Sequence, residues 1–152
     1  MPAATARLVV DEAELAAALA LRHEVFCLEQ GVSEEDELDG RDAEAEHLVV
    51  VDDDGTVVAT CRLLHGSPDG DRERPATKLG RMAVRRDLRG RGLARALLDE
   101  ADVRAARVGS GRIVLTAQLD AIGLYERAGY AAWGDVFLDA GIEHRWMAKD
   151  VA

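Results

Sequence analysis

A chain of 152 residues is long enough to bury one hydrophobic core, and 48% hydrophobic against 32% charged residues excludes a disordered or fibrous polymer. The formal net charge of −10 argues against a general binder of nucleic acid or anionic membrane, and no apolar run is long enough to span a bilayer. Six aromatic residues against 26 alanines leave the core to helices and β-branched strands. Met1–Asp11 is too short and polar for a signal peptide, and Cys27 and Cys61 have neither metal nor framework spacing. The expectation is therefore a single domain over 1–152 in a reducing cytoplasm.

Arg7–Val10 reads as a first strand, and Asp11 with Glu14 three positions on forms a capping-box start for a helix. Leu15, Ala18, Leu21 and Val25 carry that helix, with a kink, towards Gly31. Glu29–Glu46 holds nine acids and one arginine without periodicity and reads as a loop. His47–Val51 and Thr56–Leu64 form a hairpin about Asp54-Gly55, and Gly66–Pro75 is a polar loop. Thr77–Arg85 is a fourth strand. Gly92–Val108 is an amphipathic helix, Arg112–Ala117 a buried strand, and Leu119–Ala128 a helix closed by Gly129. Strands at Ala131–Leu138 and Ile142–Lys149 complete a β-α-β-β-β-α-β-α-β-β order, a mixed sheet covered by helices. The strand–helix–strand portion from Thr77 to Ala117 places its two strands in parallel.

Charge is uneven: the fifteen residues Arg81–Arg95 hold six arginines and one acid. Within them, Arg89-Gly90-Arg91-Gly92-Leu93-Ala94 stands between a strand and a periodic helix. Glycines allow a tight turn and close approach, and the first amides of a helix are unpaired donors at its positive end, so this is an anion site. The chain has no Gly-Lys pair for a Walker loop, and a dinucleotide fingerprint fails at Arg95, where it needs a third glycine. Arg/Gln-x-x-Gly-x-Gly/Ala is satisfied at every defined position.

The run Leu79–Leu98 resembles the pyrophosphate-binding motif of the GNAT N-acetyltransferases, and Leu124–Tyr130 resembles the helix that closes their active site. Val25–Val32, Asp39-Gly40, Ala117-Gln118 and Gly141–His144 with Met147 extend the resemblance to the ElaA-like subgroup. The resemblance implies an α/β (α+β) GNAT fold, with a mixed, mostly antiparallel sheet of six to seven strands and helices on both faces. It implies acetyl-CoA as donor: amides from Arg89 to Ala94 (Arg89, Gly90, Arg91, Gly92, Leu93, Ala94) hold the pyrophosphate, and Met82, Ala83 and Val84 lie along the pantetheine. The strands Thr77–Arg85 and Arg112–Ala117 splay around the thioester, and Gln118 falls where many relatives carry an Asn that contacts the cofactor. Leu124, where subgroup relatives often have Phe, and Glu143, where Pro often precedes the histidine, depart from the pattern.

Tyr125 matches the family tyrosine that protonates the departing thiolate, or is a core tyrosine; a backbone N–H near Val84 meets the oxyanion. Glu29 is a base or a helix-end acid in salt contact, and His144 a base or a loop-holding side chain. His23, His47 and His65 lack metal-ligand spacing, so no metal is expected. Ser33–Glu46 is a solvated loop or an acidic rim that attracts a cationic amine; Trp133 and Trp146 are packing residues and Cys27 core filler. The expected activity is direct acetyl transfer to a small amine or a peptide, by a monomer or homodimer without nucleic-acid or membrane partners. Against it stand a non-catalytic acyl-CoA sensor, an autoinducer synthase suggested by Arg22, Phe26 and Gln30, and an arginine-rich nucleic-acid surface.

Overall fold

The computed structural model describes residues 4–67 and 75–151, so most of the expected loop Gly66–Pro75 lies outside the described residues. Asp11 caps the first helix, accepting the Glu14 amide at 2.8 Å, while the Glu14 carboxylate takes the amide of Val10 and the guanidinium of Arg7. Strand β1 (Ala6–Leu8) precedes helix α1 (Glu12–Arg22), which widens into a π-helical stretch over His23–Glu29. The kink expected before Gly31 is this change of winding, which ends where Gly31 takes φ +75°.

The segment expected to be an acidic loop is more ordered than its composition suggested. Ser33 caps a single turn, α2 (Glu34–Glu37), and a 3₁₀ turn covers Asp42–Glu44. Strands β2 (Glu46–Val51) and β3 (Val57–Ser67) form the expected hairpin, with Gly55 at φ +88°. Next come β4 (Ala76–Val84), α3 (Leu93–Arg107), β5 (Arg112–Gln118), α4 (Ile122–Arg127), β6 (Ala131–Asp139) and β7 (Ile142–Asp150).

The seven strands form one sheet in the order β1-β2-β3-β4-β5-β7-β6, antiparallel except for the expected parallel pair β4–β5. Alternation along the strands decides which helix covers which face. Leu48 and Val50 of β2 join Leu97, Leu98, Ala101 and Ala105 of α3 and Tyr125 of α4 in the larger core. Val49, between them, points the other way into a smaller core with Ala18, Leu21 and Val25. Helices therefore cover both faces.

Candidate active site

The site arises where two parallel strands separate. β4 and β5 pair only at Ala76–Arg112, Thr77–Ile113 and Lys78–Val114. Beyond Lys78, β4 stays with β3 as far as Val84 and β5 stays with β7 as far as Gln118, so a wedge opens between them. A buried polar chain pins the closed end: Ser110 and Thr77 hydroxyls lie 2.7 Å apart, and Thr77 is 2.8 Å from Nδ1 of His65. Nε2 of His65 meets Glu46 at 2.6 Å, and Glu46 meets Arg104 at 2.6 Å. His65 therefore has a structural place, which its isolation in the sequence could not reveal.

A cleft of about 1060 Å³ occupies the wedge and runs out past both strand ends. Met82, Val84, Arg89, Gly90, Gly92, Leu93, Ala94, Gln118, Tyr125 and His144 all line it, so the structure gathers most of the expected site residues on one cavity. Ala83 does not line it; its side chain faces the opposite core with Ala18 and Val25, as the alternation of a strand requires. Arg91 is exposed and is not a lining residue.

The turn between β4 and α3 has the expected build. Gly90 and Gly92 take φ +78° and +83°, and a Cβ at either would meet nothing within 4 Å. Open space beside both glycines is what close approach of a ligand requires. Helix α3 has no side-chain N-cap, and its first bond from outside is Ala96 N–H to the Gly92 carbonyl. The amides of Leu93, Ala94 and Arg95 are thus the unpaired donors at the helix's positive end. These features fit a diphosphate, and Arg95 and Arg127, which the sequence did not mark as cofactor contacts, line the same cleft.

A β-bulge shapes the β4 wall. Between the pairs Thr60–Ala83 and Arg62–Gly80, two residues of β4 oppose one of β3, and Arg81 takes φ +53°. The bulge sends Arg81 under α2, where its guanidinium donates to the Glu37 and Asp36 carbonyls at 3.0 and 3.2 Å. Burial, with Arg62 nearby, lowers the Arg81 pKa.

Two further arginines bind the acidic segment. Arg22 is 1% exposed and meets Glu37 at 2.5 Å and Asp42 at 2.7 Å. Arg62 grips Asp39 with two bonds of 2.8 Å and reaches Asp42 at 3.2 Å. The Arg62 hydrogen bonds hold Asp39 far below the usual carboxylate range. Asp36, Glu37 and Asp39 do border the cleft, so the acidic stretch is a rim of the site. Part of its charge is matched: Glu44 meets Arg41 and Glu46 meets Arg104, while Glu34 lies 3.0 Å from the His23 ring. Buried arginines give no local sequence signal, because their partners lie 15 to 45 residues away.

Of the four remaining polar candidates, Tyr125, His144 and Gln118 line the cleft and Glu29 does not. Tyr125 is 6% exposed, packs edge-on to Tyr130 at 5.9 Å, and makes no hydrogen bond through its hydroxyl among the described residues. Burial pushes its phenol well above the ordinary value, so it stays protonated. Nδ1 of His144 lies 2.7 Å from the Ile142 carbonyl and must donate to it, which leaves Nε2 with the lone pair. The His144 ring is stacked on Phe137 at 6.0 Å. Glu29 is not among the lining residues; it forms a two-bond ion pair with Arg89 at 2.6 and 2.8 Å. That hydrogen bonding lowers its pKa, which makes a poor base. Gln118 donates to Gln30 at 2.9 Å, a contact between two elements that the sequence does not pair.

Among the described residues no group of three or more His, Cys, Asp or Glu side chains is arranged to hold a metal, and no helix is long and apolar enough to cross a membrane. Cys61 is buried, which raises its thiol pKa, and Cys27 is half-buried with its pKa raised chiefly by burial.

A family model described as an acetyltransferase (GNAT) domain matches residues 10–151. The uncharacterized N-acetyltransferase YjcF of Bacillus subtilis is 34% identical over 142 residues, covering 92% of this chain and 95% of that protein. Among solved structures, an acyl-CoA N-acyltransferase from Pseudomonas aeruginosa is 30% identical with a TM-score of 0.78, covering 95% of this chain and 97% of that one. Escherichia coli ElaA is 25% identical with a TM-score of 0.79, covering 96% and 99%.

Proposed function

Because the chain belongs to the GNAT acetyltransferase family, we propose that it transfers an acetyl group from acetyl-CoA to the primary amine of a small molecule or peptide by direct attack. One observation carries this reading: a wedge between β4 and β5 joins a diphosphate-binding turn to Tyr125 and His144 on a single cleft. Acetyl-CoA as substrate supplies the thioester. The amides of the turn from Arg89 to Ala94 hold its diphosphate, and the cleft edge of β4 around Met82 and Val84 offers hydrogen bonds to the pantetheine amides.

Direct attack needs a neutral amine, a stabilised carbonyl oxygen and a proton for the leaving thiolate. Nε2 of His144 accepts the proton of the attacking amine, while the Nδ1–Ile142 hydrogen bond fixes the required tautomer. A backbone amide of β4 near Val84 meets the charge on the carbonyl oxygen. The Tyr125 hydroxyl donates its proton to sulfur; its raised pKa suits an acid that must stay protonated until the thiolate departs. The carbon–sulfur bond breaks as the carbon–nitrogen bond forms, giving an N-acetyl product and free thiol.

The test is a panel of amines, polyamines, amino sugars and peptide N-termini assayed with acetyl-CoA by thiol release. Binding of acetyl-CoA that raises the melting temperature, with turnover of at least one amine, is expected; His144→Ala lowers that turnover about a hundredfold. Tight acetyl-CoA binding without turnover across the panel would instead mark a sensing module.

A further inference from the structure

Glu29 and Gln30, adjacent at the end of the π-helical stretch, reach to opposite sides of the wedge. Both carboxylate oxygens of Glu29 meet the two terminal nitrogens of Arg89, which opens the phosphate turn. The Nε of the same guanidinium donates to the Val84 carbonyl at the end of β4. Gln30 accepts from Gln118, the last residue of β5. Two neighbouring residues thus tie together the ends of the strands whose separation makes the cleft.

The backbone that presents them is unusual. Gln30 N–H bonds to the Val25 carbonyl and Val32 N–H to that of Phe26, wider loops than an α-helix closes. Such winding is rare in proteins and concentrates at functional sites. The same turn contributes Val25, Phe26 and Gln30 to the cleft wall.

We propose that Glu29 and Gln30 form a strap across the open end of the wedge and act as positioning residues for the acyl-CoA, an inference that rests on the acyl-CoA reading above. The strap fixes the distance between the phosphate turn and the end of β5, so that diphosphate and thioester are held at the same time. Two effects of Glu29 oppose each other. Its charge would repel a nearby diphosphate, but the paired Arg89 neutralises it. What remains is geometric: without Glu29, the Arg89 side chain and the turn that begins with it lose their anchor on the helix. Arg89 commits three of its five N–H donors to Val84 and Glu29, which fixes its plane beside the turn.

The experiment is calorimetric titration of acetyl-CoA into wild type, Glu29→Gln, Arg89→Gln and the double variant, with pH–rate profiles on an acceptor amine. Glu29→Gln is expected to raise Kd and KM for acetyl-CoA about fivefold, the upper end for a part-exposed ion pair. The loss falls on KM rather than kcat, the pH profile keeps its limbs, and Glu29→Gln adds nothing in the Arg89→Gln background. Gln30→Ala raises the same KM through the β5 tie alone. Unchanged or tighter acetyl-CoA binding by Glu29→Gln overturns the strap. So does a large kcat loss that persists without Arg89 and removes the acidic limb, since that is the behaviour of a base. Wild-type protein that fails to bind acetyl-CoA would overturn the acyl-CoA reading itself; binding with indifferent variants overturns only the strap.

Discussion

Replacing Tyr125 with Phe removes one oxygen and little else, which makes it a sharp test of the proton donor. The ring is 6% exposed and keeps its edge-on contact with Tyr130 at 5.9 Å, so packing in the larger core is retained. The hydroxyl makes no hydrogen bond among the described residues, so its removal leaves no buried group unpaired. Stability should therefore change by less than about 0.5 kcal/mol, within the ordinary range for a substitution that breaks no contact. A positioned acid contributes about 10²–10⁴-fold to the rate, or roughly 3–5 kcal/mol of barrier. The predicted pattern is a kcat lower by a hundredfold or more, with the melting temperature and the Kd for acetyl-CoA unchanged. Thiol-release kinetics, thermal melts and calorimetry on one preparation read all three. Turnover within threefold of wild type would show that sulfur takes its proton from elsewhere and would leave Tyr125 a core residue.

Gly92→Ala places a Cβ on a residue at φ +83°, costing about 1–2 kcal/mol of strain, and into the open space beside the phosphate turn. Weaker acetyl-CoA binding by calorimetry is expected, well beyond the effect of an Ala at the exposed, equally left-handed Gly129, which does not line the cleft. Glu37→Ala leaves the buried Arg22 with Asp42 alone and should cost about 3 kcal/mol, a drop of roughly 6–12 °C in melting temperature. Arg22→Met with Glu37→Leu should recover most of that loss in the same melts. Acid sensitivity follows from Asp39, whose carboxylate is lowered in the folded chain by Arg62. Its contribution is full above the unfolded value of about 3.9 and is lost as pH falls through the folded value. Urea melts between neutral and acid pH should show stability declining below about pH 5 in wild type and a shallower decline in Asp39→Asn.

Most of the architecture was legible because it rests on local signals. The Asp11 cap, the Asp-Gly turn, the long period-3.6 run of α3 and the glycine after α4 each state their structure within a few residues. The parallel β4–β5 pair followed from a connection rule, and the tight turn before α3 from its glycines. What escaped depends on contacts made across the chain. The acids between Glu29 and Glu46 read as solvated because the cations that bind four of them (Glu37, Asp39, Asp42 and Glu46), namely Arg22, Arg62, Arg81 and Arg104, come from other elements. Helix period 3.6 also cannot announce a π-helical stretch, whose apolar positions at Val25 and Phe26 fit either winding. Glu29 was visible as a residue that mattered, but the choice between base and salt contact turned on Arg89, sixty residues away.

Unpaired strand edges explain why these pieces form a site rather than a defect. Past Lys78, β4 has a partner on its β3 side only, and past Val114, β5 has one on its β7 side only. Interior edges of this kind expose backbone donors and acceptors that ordinarily invite another chain. Here α3 and α4 pack on one face and α1 on the other, so the gap is reached through the cleft between the strand ends. A molecule with amides along an extended arm can satisfy such an edge as an added strand would. The bulge at Arg81 sharpens the effect, since it turns β4 locally while anchoring α2 beside the opening. On the proposed reading, the same strand leaves its edge free for the acyl-CoA and fixes the wall that meets the acceptor.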